Sequence, residues 1–345
     1  MSSPSPISSS PSPISPSPTS LLDVEVRTGK PPMLRVHAID DAPRWAAEHR
    51  DALLAAVREH GSLVVRGLRL REAAEVEAVF RRLGNLMIEK EAFAARRRYA
   101  PGVYSSSTWP PGQPMCMHHE LSYALEFPSL MLFACLTAPK AGGATPVADS
   151  PAVLQALPAD LVERFQRLGW LLIRNYSEDI GASIAEAFGT DDRDAVESYC
   201  RANAIKFEWQ PDGGLRTWQR RSAVVRHPRT GERCWFNQIA FLNEWTIDAE
   251  VREYLVDMYG EDGLPFNTRF GNGDPVGADV VQAINEVYEA HAVREPWQAG
   301  DLLLVDNVRS AHAREPFEGP REVVVAMADA VRVADCSPTI DVTAT

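Results

Sequence analysis

The chain has 345 residues, 45% of them apolar, and a formal net charge of −12. That length supports one large folded unit or two small ones, and the acidic balance excludes a surface built to neutralise nucleic-acid phosphates. Five scattered cysteines, none in C-x-x-C spacing, exclude a zinc ribbon or dithiol redox pair and read as reduced packing residues.

Residues 1–20, "MSSPSPISSSPSPISPSPTS", are almost wholly Ser and Pro and cannot bury enough surface to offset ordering entropy, so a disordered tail is expected there. No later linker divides the chain, and residues 21–345 read as one domain. "DAPRWAAEHRDALLAAVREHG" (41–61) places Trp45, Leu53, Leu54 and Val57 at helical spacing with Gly61 as the stop. A buried strand follows over 62–68, then an amphipathic helix over 71–84. Strands are predicted at 129–136, 223–228, 234–242, 301–307 and 322–331, where β-branched and aromatic residues sit between turn signals. Helical insertions are expected at 157–169, 248–259 and 274–292. The order implies a mainly β core, a sandwich or barrel with helical buttresses. No apolar run reaches membrane-spanning length and no secretory signal is visible, so a cytoplasmic location is expected.

The chemistry starts at "MCMHHELSY" (115–123). On a strand, His118 and Glu120 point to one face and His119 to the other. A third ligand has to come from elsewhere, and His312, after a buried strand and an Asn-containing turn, is the candidate. Two imidazoles and a carboxylate occupy one face of an octahedral Fe(II) and leave the remaining positions open. Taken alone, H-x-E is equally the pattern of a structural hydrogen-bonded pair. Thr145, in the Gly-rich "AGGATPVADS", and Arg321 strengthen the iron reading. If His312 ends one strand and Arg321 begins the next, a hairpin brings the guanidinium beside the metal. A guanidinium fork plus a hydroxyl would then grip the far carboxylate of a keto diacid. Taken singly, Thr145 is a turn residue and Arg321 a partner for Glu318 or Glu322. The other reading is a zinc-dependent or non-catalytic β-barrel.

Six ordered stretches carry a resemblance: "GSLVVRGL", "VYSSSTWPPGQPMCMHHELSY", "PSLMLFACLTAPKAGGATPVADS", "TGERCWFNQIAFL", "WQAGDLLLVDN" and "AHAREPFEGPREVVVAM". Together they resemble the taurine dioxygenase superfamily of Fe(II)/2-oxoglutarate oxygenases. The nearest branch is the clavaminate-synthase-like and syringomycin-biosynthesis-like one, whose motif is H-x-E. The resemblance implies a double-stranded β-helix with a cupin-like jelly-roll core. It makes His118, Glu120 and His312 the Fe(II) ligands and Thr145 and Arg321 the anchors of 2-oxoglutarate, with O2 as the other co-substrate. Two positions depart from the family: His119 stands where Asn is usual, and Ala313 where Gly is usual.

The implied reaction is hydroxylation, with desaturation or epoxidation as other outcomes. The implied substrate is an amino acid, free or tethered to a peptidyl carrier protein, in natural-product (antibiotic) biosynthesis. Ser106, Ser107, Thr108, Asn237 and Gln238 are candidate substrate-side residues, or else loop and strand-edge residues. Arg96, Arg97 and Arg98 form the one strong basic run, either a solvated helix face or a dock for an acidic carrier.

Overall fold

The computed structural model describes residues 22–341, apart from residues 38, 92, 95, 179 and 180. The Ser/Pro tail expected over residues 1–20 lies outside the described residues. Among them, no helix is long and apolar enough to cross a membrane.

The predicted helix–strand–helix opening forms. Helix Ala42–His60 starts at Asp41, whose side chain accepts from the Arg44 N–H at 2.9 Å, and stops at Gly61. Gly61 is required twice over. Its φ is 79°, in the left-handed region, and a Cβ there would lie 2.4 Å from the Ser310 hydroxyl. The chain therefore turns at once into strand Ser62–Arg66. Helix Ala73–Leu83 buries the stripe Val76, Val79, Phe80 and Leu83.

An eight-stranded sheet forms the centre. Its middle strands are Ser62–Arg66, Leu302–Asp306, Glu126–Thr137 and Glu322–Arg332, each antiparallel to the next. Alternate residues along these strands serve two cores. Leu130, Leu132, Leu302, Leu304, Val324 and Ala326 pack against the two N-terminal helices. Met131, Phe133, Leu303, Val305, Val323 and Val325 face the other way. Both faces are covered, which explains why these strands read as continuous apolar runs.

The second core is shared with a four-stranded sheet of Ala292–Val293, Val147–Asp149, Ser310–Arg314 and Met115–His118. The sheets touch directly: the Phe133 ring meets the His312 ring edge-on at 5.2 Å. Both sheets are open among the described residues. The insertions expected at 157–169, 248–259 and 274–292 appear as helices Ala159–Leu168, Ala249–Tyr259 and Ala278–His291.

Two expectations need correction. The strand predicted over 234–242 is limited to Arg233–Trp235; residues 236–242 are a buried, irregular turn. A further four-stranded sheet was not foreseen: Lys206–Trp209, Leu215–Arg221, Trp170–Tyr176 and Phe266–Phe270. Its inner face escapes an apolar-pattern search because Arg174, Thr217, Gln219 and Arg221 occupy it. These side chains hold loops around the site. Gln219 donates to the Glu91 carboxylate at 2.6 Å, Arg174 to the Glu91 carbonyl at 3.0 Å, and Arg221 to the Tyr123 carbonyl at 2.6 Å.

Candidate metal centre

His118 and His312 sit directly opposite each other on neighbouring antiparallel strands, their ring centroids 4.4 Å apart. The strand carrying His118 ends there, so Glu120 lies in the following turn and not on the strand as expected. Its position is set by Asn307. That side chain accepts from the Glu120 N–H at 2.8 Å and donates to the Glu120 carbonyl at 3.0 Å and the Pro128 carbonyl at 2.8 Å. Ligand atoms of His118, Glu120 and His312, all buried, lie within 4.8 Å of one another.

The donor set fits a divalent ion. His118 Nδ1 is 2.8 Å from the Cys116 carbonyl, an acceptor only, so that nitrogen carries the proton and Nε2 keeps its lone pair. His312 Nδ1 is buried without a hydrogen-bond partner, and Nε2 stands 3.7 Å from Glu120, too far for a hydrogen bond. Burial and the neighbouring His312 depress His118 to about 3, so it is neutral at pH 7. Burial alone would raise the Glu120 carboxyl; Arg96 and the two histidines outweigh it and hold Glu120 well below the usual carboxylate range. Two imidazoles and one carboxylate, bound on one side only, suit Fe(II) with open positions.

His119 points away, although it follows the end of the strand and strand alternation does not set its direction. Its Nδ1 meets the Asn307 carbonyl at 2.6 Å and its Nε2 the Ser150 hydroxyl at 2.8 Å. Both nitrogens are used inside the protein, which makes His119 a brace between two elements. His119→Ala is expected to cost roughly 2–4 kcal/mol of stability, a cavity plus unpartnered buried groups. Mn(II) affinity, measured by calorimetry, should fall less than tenfold. Loss of Mn(II) binding in this variant, with His118→Ala still binding, would reverse the ligand assignment.

Thr145 and Arg321 line the same cavity as the three convergent side chains. The hairpin expected to bring Arg321 in does not exist. His312 is mid-strand in the four-stranded sheet, whereas Arg321 precedes Glu322–Arg332 of the eight-stranded one, and the two residues meet across the sandwich. Arg321 donates to the Gly143 carbonyl at 3.0 Å and the Ser106 hydroxyl at 3.3 Å. It has no carboxylate partner among the described residues, neither Glu318 nor Glu322. Burial and the nearby Arg314 push it down to about 10, so it remains a cation at neutral pH. Thr145 Oγ1 accepts from the Trp297 indole at 3.2 Å.

Of the substrate-side candidates, Ser106 and Ser107 line this cavity, and Thr108 lines an adjacent one with Phe93 and Trp109. Asn237 and Gln238 do not reach either. Asn237 bonds the Ala223 carbonyl and the Ile239 N–H, and Gln238 donates to the His119 carbonyl at 2.8 Å. Arg96 is on no helix face. It is buried, 3.2 Å from both Glu89 and Glu120, and lines the metal cavity, while Arg97 and Arg98 are exposed. Arg96 and Asn307 are the functional residues that pattern reading missed. The run of arginines and the "VDN" turn were visible, but nothing local says where they point.

Residues 31–327 match the family model "Taurine catabolism dioxygenase TauD, TfdA family", and the chain belongs to that family. It is an Fe(II)- and 2-oxoglutarate-dependent oxygenase. The dapdiamide synthesis protein DdaC of Enterobacter agglomerans is 35% identical over 79% of this chain and 83% of its own. A clavaminate synthase-like protein of Arabidopsis thaliana is 29% identical over 86% of this chain and 89% of its own. The fold is shared with PvcB of Pseudomonas aeruginosa at 15% identity and a TM-score of 0.51, over 87% of each chain. A second structure of PvcB, described as an Fe, alpha-ketoglutarate dependent oxygenase from an isonitrile synthetic pathway, gives a TM-score of 0.52 at 15% identity. It covers 94% of this chain and 98% of that one.

Proposed function

We propose that this enzyme hydroxylates an amino acid, free or carrier-tethered, during assembly of a natural product. In this reading residues 21–345 are one domain, and the facing eight- and four-stranded sheets form a double-stranded β-helix. His118, Glu120 and His312 hold the iron, and Thr145 and Arg321 hold the distal carboxylate of 2-oxoglutarate. The observation that carries it is a part-buried arginine, Arg321, without a carboxylate partner among the described residues, in the cavity where the three side chains converge. Zinc hydrolysis needs no anchor for a keto acid. The 35% identity to a dapdiamide synthesis protein supports the biosynthetic setting.

Fe(II) with O2 and 2-oxoglutarate supplies the oxidising power: 2-oxoglutarate yields CO2 and succinate, which takes one oxygen atom, and the other oxidises the substrate. The chain's own contribution is placement. Asn307 fixes the Glu120 backbone, Cys116 fixes the His118 tautomer, and Phe241 stacks on His118 at 4.5 Å. Ser107 remains a substrate-side candidate, and Thr108 lies one cavity further out.

The test is substrate-stimulated succinate release across free and carrier-loaded amino acids. With chloride present, the product should be heavier by one oxygen, because Glu120 fills the position that a halide would take. A main product lighter by two hydrogens would assign desaturation instead. A chlorinated main product would refute the reading.

A further inference from the structure

Arg96 holds the Glu120 carboxylate and, unlike the other cations of the metal cavity, keeps donors open beside the site. It lies in the loop that Glu91 anchors, and Glu91 itself is held by Tyr199 at 2.8 Å and Gln219 at 2.6 Å. Among the described residues its only hydrogen bonds in good geometry run from Nη2 to the two Glu120 oxygens, at 3.2 and 3.3 Å. Nε lies 3.2 Å from Glu89 but out of line, with no hydrogen bond. Nη1 makes none among the described residues. The remaining guanidinium in the cavity, Arg314, is different: the carbonyls of Trp109, Pro110 and Gln113 occupy it at 3.2, 2.7 and 2.8 Å.

Charge balance leads to the same residue. Arg96, Arg314, Arg321 and a divalent iron face Glu120, Glu89 and the two carboxylates of 2-oxoglutarate, which leaves one positive charge in excess. A water-poor cavity does not tolerate an uncompensated charge cheaply. When iron takes up the Glu120 carboxylate, Arg96 has that much less negative charge to itself, and its free donors remain in the cavity. A guanidinium edge with open donors is the geometry that grips a carboxylate.

We propose that Arg96 is the receptor for a carboxylate of the substrate, so the substrate class is a small molecule with a free carboxylate. This rests on the amino-acid reading above and narrows it. An aminoacyl thioester lacks that charge unless its side chain supplies one.

The experiment uses the Fe(II)- and 2-oxoglutarate-loaded enzyme and matched pairs of compounds: free amino acids, including Asp and Glu, against their carboxamides. Succinate release is measured aerobically. Binding is measured without turnover, under nitrogen, from the shift in unfolding temperature. The wild type should show a KM at least about thirtyfold lower for acids than for amides, the size expected for truncating one partner of a buried charge contact. Arg96→Gln should bring each pair within about threefold by raising KM for the acids. Arg96→Lys, which keeps the charge near Glu89 and Glu120, should restore part of the preference and serves as the folded comparison. A wild type that treats acids and amides alike overturns the proposal and leaves the amino-acid reading standing. An acid preference unchanged in Arg96→Gln overturns the assignment to Arg96. A panel that neither stimulates succinate release nor shifts unfolding overturns this proposal together with the free-amino-acid reading, and the carrier-loaded arm of the succinate assay then decides the wider one.

Discussion

His118→Ala and His312→Ala should each lose detectable product and bind Mn(II) or Co(II) at least about a hundredfold more weakly. Even partners one layer removed from a metal cost 10- to 100-fold when lost, and these side chains supply the bonds themselves. The rings face each other across a strand pair, so neither can be replaced by a neighbour: Ala311 and Ala313 flank His312, Met117 precedes His118, and His119 is committed to Ser150 and Asn307. Titration of the apo protein separates this from misfolding, because each variant should keep the wild-type circular dichroism spectrum. Wild-type affinity for Mn(II) in either variant would remove that histidine from the ligand set.

Arg321→Ala should raise the apparent constant for 2-oxoglutarate by roughly thirtyfold to several-hundredfold. The basis is ~2–4 kcal/mol for truncating a charge-assisted bidentate contact, at ~1.4 kcal/mol per tenfold. Thr145→Ala removes a neutral partner and should cost about 1 kcal/mol, a few-fold. Its hydroxyl is already bonded to the Trp297 indole, which orients it. Arg321→Lys should rescue only in part, since an ammonium cannot reproduce the planar fork. Pyruvate, which keeps the keto acid but lacks the distal carboxylate, should be far less sensitive to Arg321→Ala. A 2-oxoglutarate constant within about twofold of wild type would point to a different arginine, with Arg314 the first alternative because it lines the same cavity.

The helices and most of the central strands were legible because burial dictates their pattern. Val76, Val79, Phe80 and Leu83 repeat at helical spacing, and the strand centred on Leu132 is apolar on both faces because both are covered. The sheet that includes Leu215–Arg221 was illegible for the opposite reason. Its inner face satisfies loop carbonyls and the Glu91 carboxylate through Arg174, Gln219 and Arg221, and a polar face that is fully hydrogen-bonded looks like a surface. The convergence of His118, Glu120 and His312 was legible from residue type and family pattern. Arg321 was placed beside them by a hairpin that does not form; the sandwich brings it there. Asn307 and Arg96 act through contacts with Glu120 that no local spacing encodes.

The centre also sets an order of events in the life of the chain. His118 and Glu120 are made early, whereas Asn307, His312 and Arg321 come from the last tenth or so of the sequence, and the pairing that unites them is wholly non-local. Contacts of that kind close late, after the loop entropy between them has been overcome. A ribosome-bound chain lacking its C-terminal strands therefore has no complete iron site. The three side chains converge only when these distant segments have met, so metal binding at the cluster would read out finished folding.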